Sequence, residues 1–309
     1  MSFQEFIRKL NKKSQHFNRI TLNIIPTSIL KWRITDLILL VVLIFTFFIV
    51  YNDKPFHRQF YLDDKTIQHP FAERETVNTA ELFIYSTWIP LVITFAVSLV
   101  LTTTKYKVYN TYVACLGLIL SVLITSITTD ILKNWIGRLR PDFLERCIPK
   151  EGTPLDKLVS IEVCTNEDLG MLEDGFRTTP SGHSSISFAG LTYLALFLIG
   201  QLQATNTWCG SWRFLIGGFA PMLMASFIAL SRTQDYRHHF IDVFVGSLLG
   251  FSIGCWSYFR LFPWVGDSQS YYNKILIEEE KKIENKEANT DAFVVDGDEN
   301  SDYTRLTNV

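Results

Sequence analysis

Residues Ser231 to Asp242 read S-R-T-Q-D-Y-R-H-H-F-I-D and lie where one long apolar run, Phe214–Leu230, gives way to another, Phe240–Phe262. Two arginines, two adjacent histidines and two aspartates between apolar runs are a density of ionisable groups that a membrane-embedded chain does not carry idly. If a helix begins at His238, Asp242 is its i,i+4 neighbour, and the carboxylate can accept a hydrogen bond from one imidazole nitrogen. The other nitrogen is then free to attack an electrophile, with the orienting carboxylate in the role it has in a serine protease triad.

The composition agrees with a membrane setting. The chain has 309 residues, 48% of them hydrophobic, and a mean hydropathy of +0.15, which is too apolar for an ordinary soluble protein. A net charge of -2 gives no reason to expect a nucleic-acid partner. The five cysteines form no C-x-x-C pair and no zinc-like spacing, so neither a structural metal nor a redox motif is indicated. The first 33 residues are polar and basic, and no small-residue cleavage site follows the first apolar run, so that run is expected to be a retained span and not a signal peptide.

A bilayer-spanning helix needs about 20 apolar residues, and six segments qualify: Ile34–Tyr51, Leu82–Leu101, Tyr112–Leu132, Ser185–Leu202, Phe214–Leu230 and Phe240–Phe262. The third ends with Asp130 close to Lys133, so its end is expected to face protein or water. The fold expected is all-α, an integral membrane bundle of six transmembrane helices over residues 34–263. A basic arm, 1–33, precedes it, and residues 264–309 follow as an acidic tail. From Asp267 onward that tail has 11 acids against 5 bases, a disordered composition, within which Tyr272 to Lys286 could form a helix but suggests no chemistry. His57 and His69, in the hydrophilic connection 52–81, are read as solvated loop residues. The connection from Lys133 to Ser184 is long enough to suggest function.

Three sparse patterns fall at helix ends: Lys133-x6-Arg140-Pro141 after the third span, Pro180-Ser181-Gly182-His183 before the fourth, and Ser231-Arg232-x5-His238-x3-Asp242 between the fifth and sixth. Counting spans puts all three on one membrane face, whichever way the chain inserts. Lys133, Arg140 and Arg232 supply three permanent cations, and guanidinium forks match phosphate oxygens. Ser181 and Gly182 precede an apolar helix, where backbone N–H groups and the positive dipole end favour an anion, with the serine as N-cap or added donor. With no carboxylate cluster beside them, the three cations are expected to neutralise a transferring phosphoryl group without a metal or other cofactor.

Each pattern alone has a blander explanation. The basic residues after the third span, Arg138 above all, suit interfacial anchoring; Ser-Gly-His is common in loops; and His238 with Asp242 is half of a metal site. His239 would point about 100° from its neighbour on a helix and so away from the site, and Asp235 and Arg237 are read as local salt-bridge residues. A lipid-binding or transport protein that captures an anionic headgroup is the rival from another class, but the chain shows no internal repeat.

Together the three patterns resemble the three-part signature of the type 2 phosphatidic acid phosphatase superfamily, the lipid phosphate phosphatases, whose catalytic fold is shared with vanadium haloperoxidases. The stretches N-W-I-G-R-L-R-P-D-F, D-G-F-R-T-T-P-S-G-H-S-S and S-R-T-Q-D-Y-R-H-H-F-I-D are similar to the fungal diacylglycerol pyrophosphate phosphatases in particular. The resemblance covers about Lys31 to Pro263. It implies a six-span bundle with a haloperoxidase-like core, in which His238 attacks phosphorus, Asp242 orients it and His183 protonates the departing oxygen. Lys133, Arg140, Ser181, Gly182 and Arg232 would hold the phosphate. The implied substrates are membrane phospholipids: diacylglycerol pyrophosphate, phosphatidate and lysophosphatidate. Sphingoid-base phosphates and isoprenoid pyrophosphates are the nearer alternatives, and an endomembrane such as the vacuole is the implied location.

Sidedness is read from charge. Seven basic residues before the first span against four in the connection after it put the amino terminus in the cytosol, and hence the catalytic face in the lumen. The nine basic residues on the catalytic side pull the other way, but at least three are accounted for by phosphate binding. In an oxidising lumen Cys147 and Cys164 could close a disulfide.

Overall fold

Apolar runs of this length have one stable backbone solution away from water, a helix that satisfies its own N–H and C=O groups. The structure, a computed structural model, describes residues 31–285 apart from 207 and 209. Most of the basic arm and residues 286–309 of the acidic tail lie outside the described residues. Six helices are long and apolar enough to cross a membrane: α1 (Ile34–Tyr51), α2 (Thr79–Leu101), α3 (Lys107–Ile136), α6 (Gly182–Gln201), α7 (Trp212–Gln234) and α8 (Phe240–Leu261). Between α3 and α6 lie two short helices, α4 (Phe143–Cys147) and α5 (Leu169–Asp174), and a last helix, α9, covers 274–285. No strand forms among the described residues; two isolated bridges join Phe60 to Val159 and Pro149 to Cys164. The protein is an all-α, multi-pass membrane protein.

The chain divides into two compact units, 1–48 and 49–309. In the first, α1 opens with an ion pair from Arg33 to Asp36 at 3.1 Å.

Within the second unit, local chemistry sets the helix ends that matter. Asn78 and Glu81 form a reciprocal capping box at the start of α2, so that span begins three residues earlier than its apolar run. Helix α3 runs on four residues past the end of its apolar stretch and stops at Gly137, whose φ of 58° is left-handed. A side chain there is doubly excluded, because its Cβ would lie 1.9 Å from the Phe56 carbonyl oxygen. This stop turns the chain into Arg138, Leu139 and Arg140.

Helices α6 and α8 make the closest approach. Gly246, Gly250 and Gly254 line one face of α8, and a Cβ on each would come within 2.6, 2.0 and 2.9 Å of the carbonyl oxygens of Ser181, Ser185 and Ala189. Small residues every fourth position let two backbones touch, and here they bring the start of α8 onto the start of α6. Ser181 N–H donates to the Asp242 carbonyl at 3.0 Å, which locks the second and third sequence patterns in register.

The long connection between α3 and α6 is folded. With residues of the 52–78 connection it builds its own core of Phe60, Leu62, Ile67, Leu139, Phe143, Cys147, Val159, Leu172 and Phe176. A disulfide joins Cys147 to Cys164.

The start of the acidic tail packs against the bundle: Tyr272, Leu276 and Ile277 join the main core, and Asn273 Nδ2 donates to the buried Asn110 Oδ1 at 3.0 Å. The helix allowed over 272–286 by the sequence is α9, 274–285.

Candidate active site

Ser181 is the N-cap of α6, its hydroxyl oxygen accepting from the Ser184 N–H at 3.5 Å and the Ser184 hydroxyl at 3.0 Å. The first N–H groups of a helix have no intrahelical partner, so this buried end offers donors and the positive dipole to an anion. Lys133 reaches the same place from the last turn of α3: its Nζ is 3.3 Å from where a Cβ on Gly182 would stand. A glycine here leaves room for the ammonium against the helix start.

His238 lies one residue before the N-cap of α8, His239. The helix therefore starts two residues later than the i,i+4 reading requires, and that reading is corrected. The His238 Nδ1 donates to the Thr178 carbonyl at 2.8 Å, and the Thr178 hydroxyl, 3.1 Å from the same nitrogen, donates to Asp242 Oδ2 at 3.0 Å. Asp242 acts on His238 through Thr178. A carbonyl oxygen only accepts, so the proton sits on Nδ1 and Nε2 carries the lone pair. The imidazole is 4% exposed; burial first, then the charges of Arg140 and Lys133, pushes its pKa well below the usual value.

Asp242 is fully buried and accepts from Arg138 Nη1 at 3.0 Å, from the Thr178 and Thr179 hydroxyls, and from the N–H and Nδ1 of His239 at 2.8 and 3.0 Å. Two expectations change here. Arg138 is bound to Asp242 instead of serving as an interfacial anchor. His239, expected to turn away, caps α8 and holds Asp242, with its Nε2 3.1 Å from the Thr66 carbonyl.

The phosphate-binding candidates Arg140 and Arg232 are each fastened by acids. Arg140 donates through Nη2 to Asp174 Oδ1 at 2.6 Å. Burial, the largest single influence, would raise the Asp174 carboxyl, but Arg140, Arg146 and Lys133 together hold it below its usual range. Arg232 donates to Glu75 Oε2 at 3.1 Å, to Asp235 Oδ2, and through Nε to Ser231 Oγ at 3.3 Å. Arg146 and Asp142, both buried, form a bidentate pair at 2.9 Å on each arm. Glu75, Asp142, Asp174 and Thr178 were given no role from sequence, although Asp142 follows Pro141, and Asp174 and Thr178 lie in the stretch that leads into Pro180; Glu75 alone is far from every motif.

His183, the second residue of α6, has an Nε2 with no hydrogen-bond partner among the described residues, and the Val77 main chain hydrogen-bonds its ring. Arg140, Lys133, His183 and Arg232 are the ionisable groups that act on His238, so the structure gathers all three patterns. The site offers an unprotonated ring nitrogen, a second histidine and three cations with helix-end donors, a set complementary to a phosphoryl group. Among the described residues no group of three or more His, Cys, Asp and Glu is placed to hold a metal ion.

Comparison with known proteins gives a matching result. Residues 114–265 match the PAP2 superfamily. The chain is 48% identical over 252 residues to diacylglycerol pyrophosphate phosphatase 1 of Saccharomyces cerevisiae, covering 81% of this chain and 87% of that protein. It is 42% identical over 214 residues to the probable diacylglycerol pyrophosphate phosphatase 1 of Schizosaccharomyces pombe, covering 68% and 74%. It is 32% identical over 249 residues to lipid phosphate phosphatase 2 of Arabidopsis thaliana, covering 80% and 83%. No solved structure gives a significant match. Lys133 through Asp242, the whole span of the gathered patterns, falls inside the matched region, and with relatives this similar over most of their length the chain belongs to the PAP2 superfamily.

Proposed function

We propose that the protein is a membrane phosphatase that dephosphorylates lipid phosphates by two displacements at phosphorus, through a phosphohistidine on His238 and without a metal ion. Diacylglycerol pyrophosphate would yield phosphatidate, phosphatidate would yield diacylglycerol, and lysophosphatidate would also be hydrolysed. The observation that carries this reading is the Nδ1–H bond from His238 to the Thr178 carbonyl at 2.8 Å, which leaves Nε2 unprotonated among Lys133, Arg140 and Arg232.

In the first displacement the Nε2 lone pair forms a P–N bond as the P–O bond to the lipid breaks, and His183 gives its proton to the departing oxygen. In the second, His183 takes a proton from water as the water oxygen attacks phosphorus and the P–N bond breaks. That restores neutral His238 and protonated His183 and releases inorganic phosphate. Lys133, Arg140, Arg232 and the helix start at Ser181 and Gly182 neutralise the equatorial oxygens, the role a metal often fills. The acids that meet Arg140 and Arg232, namely Asp174, Glu75 and Asp235, are committed to these arginines, which supports metal independence.

The active face is assigned to the lumen of an endomembrane such as the vacuole. The Cys147–Cys164 disulfide supports a face in an oxidising compartment.

Phosphate release by purified protein, assayed in excess chelator against diacylglycerol pyrophosphate, phosphatidate, lysophosphatidate, a sphingoid-base phosphate and an isoprenoid pyrophosphate, tests the reading. Turnover of the glycerolipid phosphates is expected. Inactivity on all five, or activity that chelator abolishes, would refute it.

A further inference from the structure

Residues 69–77, H-P-F-A-E-R-E-T-V, lie outside the three patterns, in the connection before α2, yet they touch all three. The His69 N–H donates to the Pro141 carbonyl at 2.9 Å, beside Arg140. The Val77 main chain hydrogen-bonds the His183 ring. The third pattern is held most. Arg237 Nη2 donates to the Ala72 carbonyl at 2.9 Å, and Thr76 donates to Asp235 through its N–H at 2.9 Å and its hydroxyl at 2.6 Å. The Glu75 carboxylate spans Arg232 at 3.1 Å and Arg237 at 3.3 Å. The Phe71 ring takes two guanidinium carbons near its centroid, Arg237 at 4.2 Å and Arg146 at 5.0 Å.

We propose that this segment is a fourth element of the active site, a strap in which Glu75 is the positioning residue for the phosphate-binding Arg232. The inference rests on the phosphatase reading above. Arg232 is 1% exposed, and a guanidinium has five N–H donors. Its bonds to Ser231, Asp235 and Glu75 use one on Nε and one on each terminal nitrogen. One N–H on each terminal nitrogen remains for phosphate oxygens, and Glu75 sets the plane in which that fork points.

The strap also ties Arg232 to the opposite wall. Arg237 continues from Glu75 to Asp142 at 3.5 Å, Asp142 pairs with Arg146, and Arg146 meets Asp174 at 3.0 Å, which holds Arg140 at 2.6 Å. Acid and base alternate along the whole path from Arg232 to Arg140, so the two arginines form one frame. A misplacement of about 1 Å in such a frame costs on the order of 100-fold in rate.

The test uses the full chain in detergent, with phosphatidate as substrate and inorganic phosphate as competing ligand. Glu75→Gln keeps the side-chain shape and removes the charge. It is expected to lower kcat/KM about 10- to 100-fold and to weaken inhibition by inorganic phosphate, with partial recovery in Glu75→Asp. In an Arg232→Lys background the same change is expected to cost little more, because Glu75 acts through Arg232. Full additivity of the two changes would overturn the proposal. So would a Glu75→Gln protein that melts earlier but turns over normally per folded molecule. If Glu75→Gln does not fold, Thr76→Val, which removes one hydroxyl donor to Asp235, is read by the same criteria. A wild-type protein inactive on every lipid phosphate would refute the phosphatase reading alone, and the strap would still be read from the thermal shift that inorganic phosphate gives wild type and variants.

Discussion

His238 and Asp242 do not touch through a shared hydrogen bond; Thr178 stands between them, its carbonyl 2.8 Å from His238 Nδ1 and its hydroxyl 3.0 Å from Asp242 Oδ2. The carbonyl fixes the tautomer, and the hydroxyl carries the influence of the buried carboxylate. Thr178→Val keeps the first bond and loses the second. A hydrogen bond to a charged group contributes about 1.5–3 kcal/mol, so kcat is expected to fall roughly 10- to 100-fold with folded protein retained. Steady-state kinetics and a melting curve check both parts.

The pH profile follows from the burial of His238, which holds its imidazole neutral well below the ordinary value of 6.5. The acid limb of kcat/KM is therefore expected well below pH 6.5 and not at it. The stability sign is the same: the unfolded chain takes up a proton near pH 6.5 that the folded one refuses until far lower. Stability thus falls as pH drops through that interval and is unaffected by this group above it. In His238→Ala this component of acid destabilisation should be missing.

Two glycines are expected to behave in opposite ways. Gly182→Ala puts a Cβ 3.3 Å from Lys133 Nζ, the movable end of a long side chain. The variant should fold, with up to about 1 kcal/mol of added helix preference, and lose affinity for inorganic phosphate. Gly250→Ala drives a Cβ to 2.0 Å from a backbone carbonyl at the α6–α8 contact. There the overpacking should cost about 1–3 kcal/mol or more, visible as a lower melting temperature.

The disulfide closes a loop of sequence separation 17, for which chain entropy suggests about 3 kcal/mol. Cys147→Ser should loosen the small core of Phe143, Leu172 and Phe176, and with it Asp174 and Thr178. Both cysteines are expected to resist a membrane-impermeant thiol reagent on intact organelles even after reduction, and to react only once the disulfide is reduced and the membrane permeabilised. Prompt cytosolic labelling without reductant would reverse the luminal assignment.

The membrane fold was legible because six apolar runs of sufficient length leave few alternatives, and α1 has the bounds its run predicted. The three patterns were legible for the complementary reason, since charges at the ends of such helices are sparse. Glu75 was not. Its partner Arg232 is 157 residues away, and nothing in the periodicity of a polar loop marks which carboxylate will meet which arginine. Thr178 was missed because its decisive group is a main-chain carbonyl, which every residue has. The i,i+4 geometry for His238 and Asp242 failed on a boundary, where the capping role of His239 moved the helix start by two residues.

The central claim is the phosphohistidine, and rapid quench of the purified enzyme with a lipid labelled in its terminal phosphate tests it most directly. The expected result is a transient, acid-labile and alkali-stable phosphoenzyme, with the label on the peptide that contains His238 and none in His238→Ala, which should be inactive but folded. Turnover in His238→Ala, or wild-type turnover with no enzyme-bound label at any quench time, would contradict it.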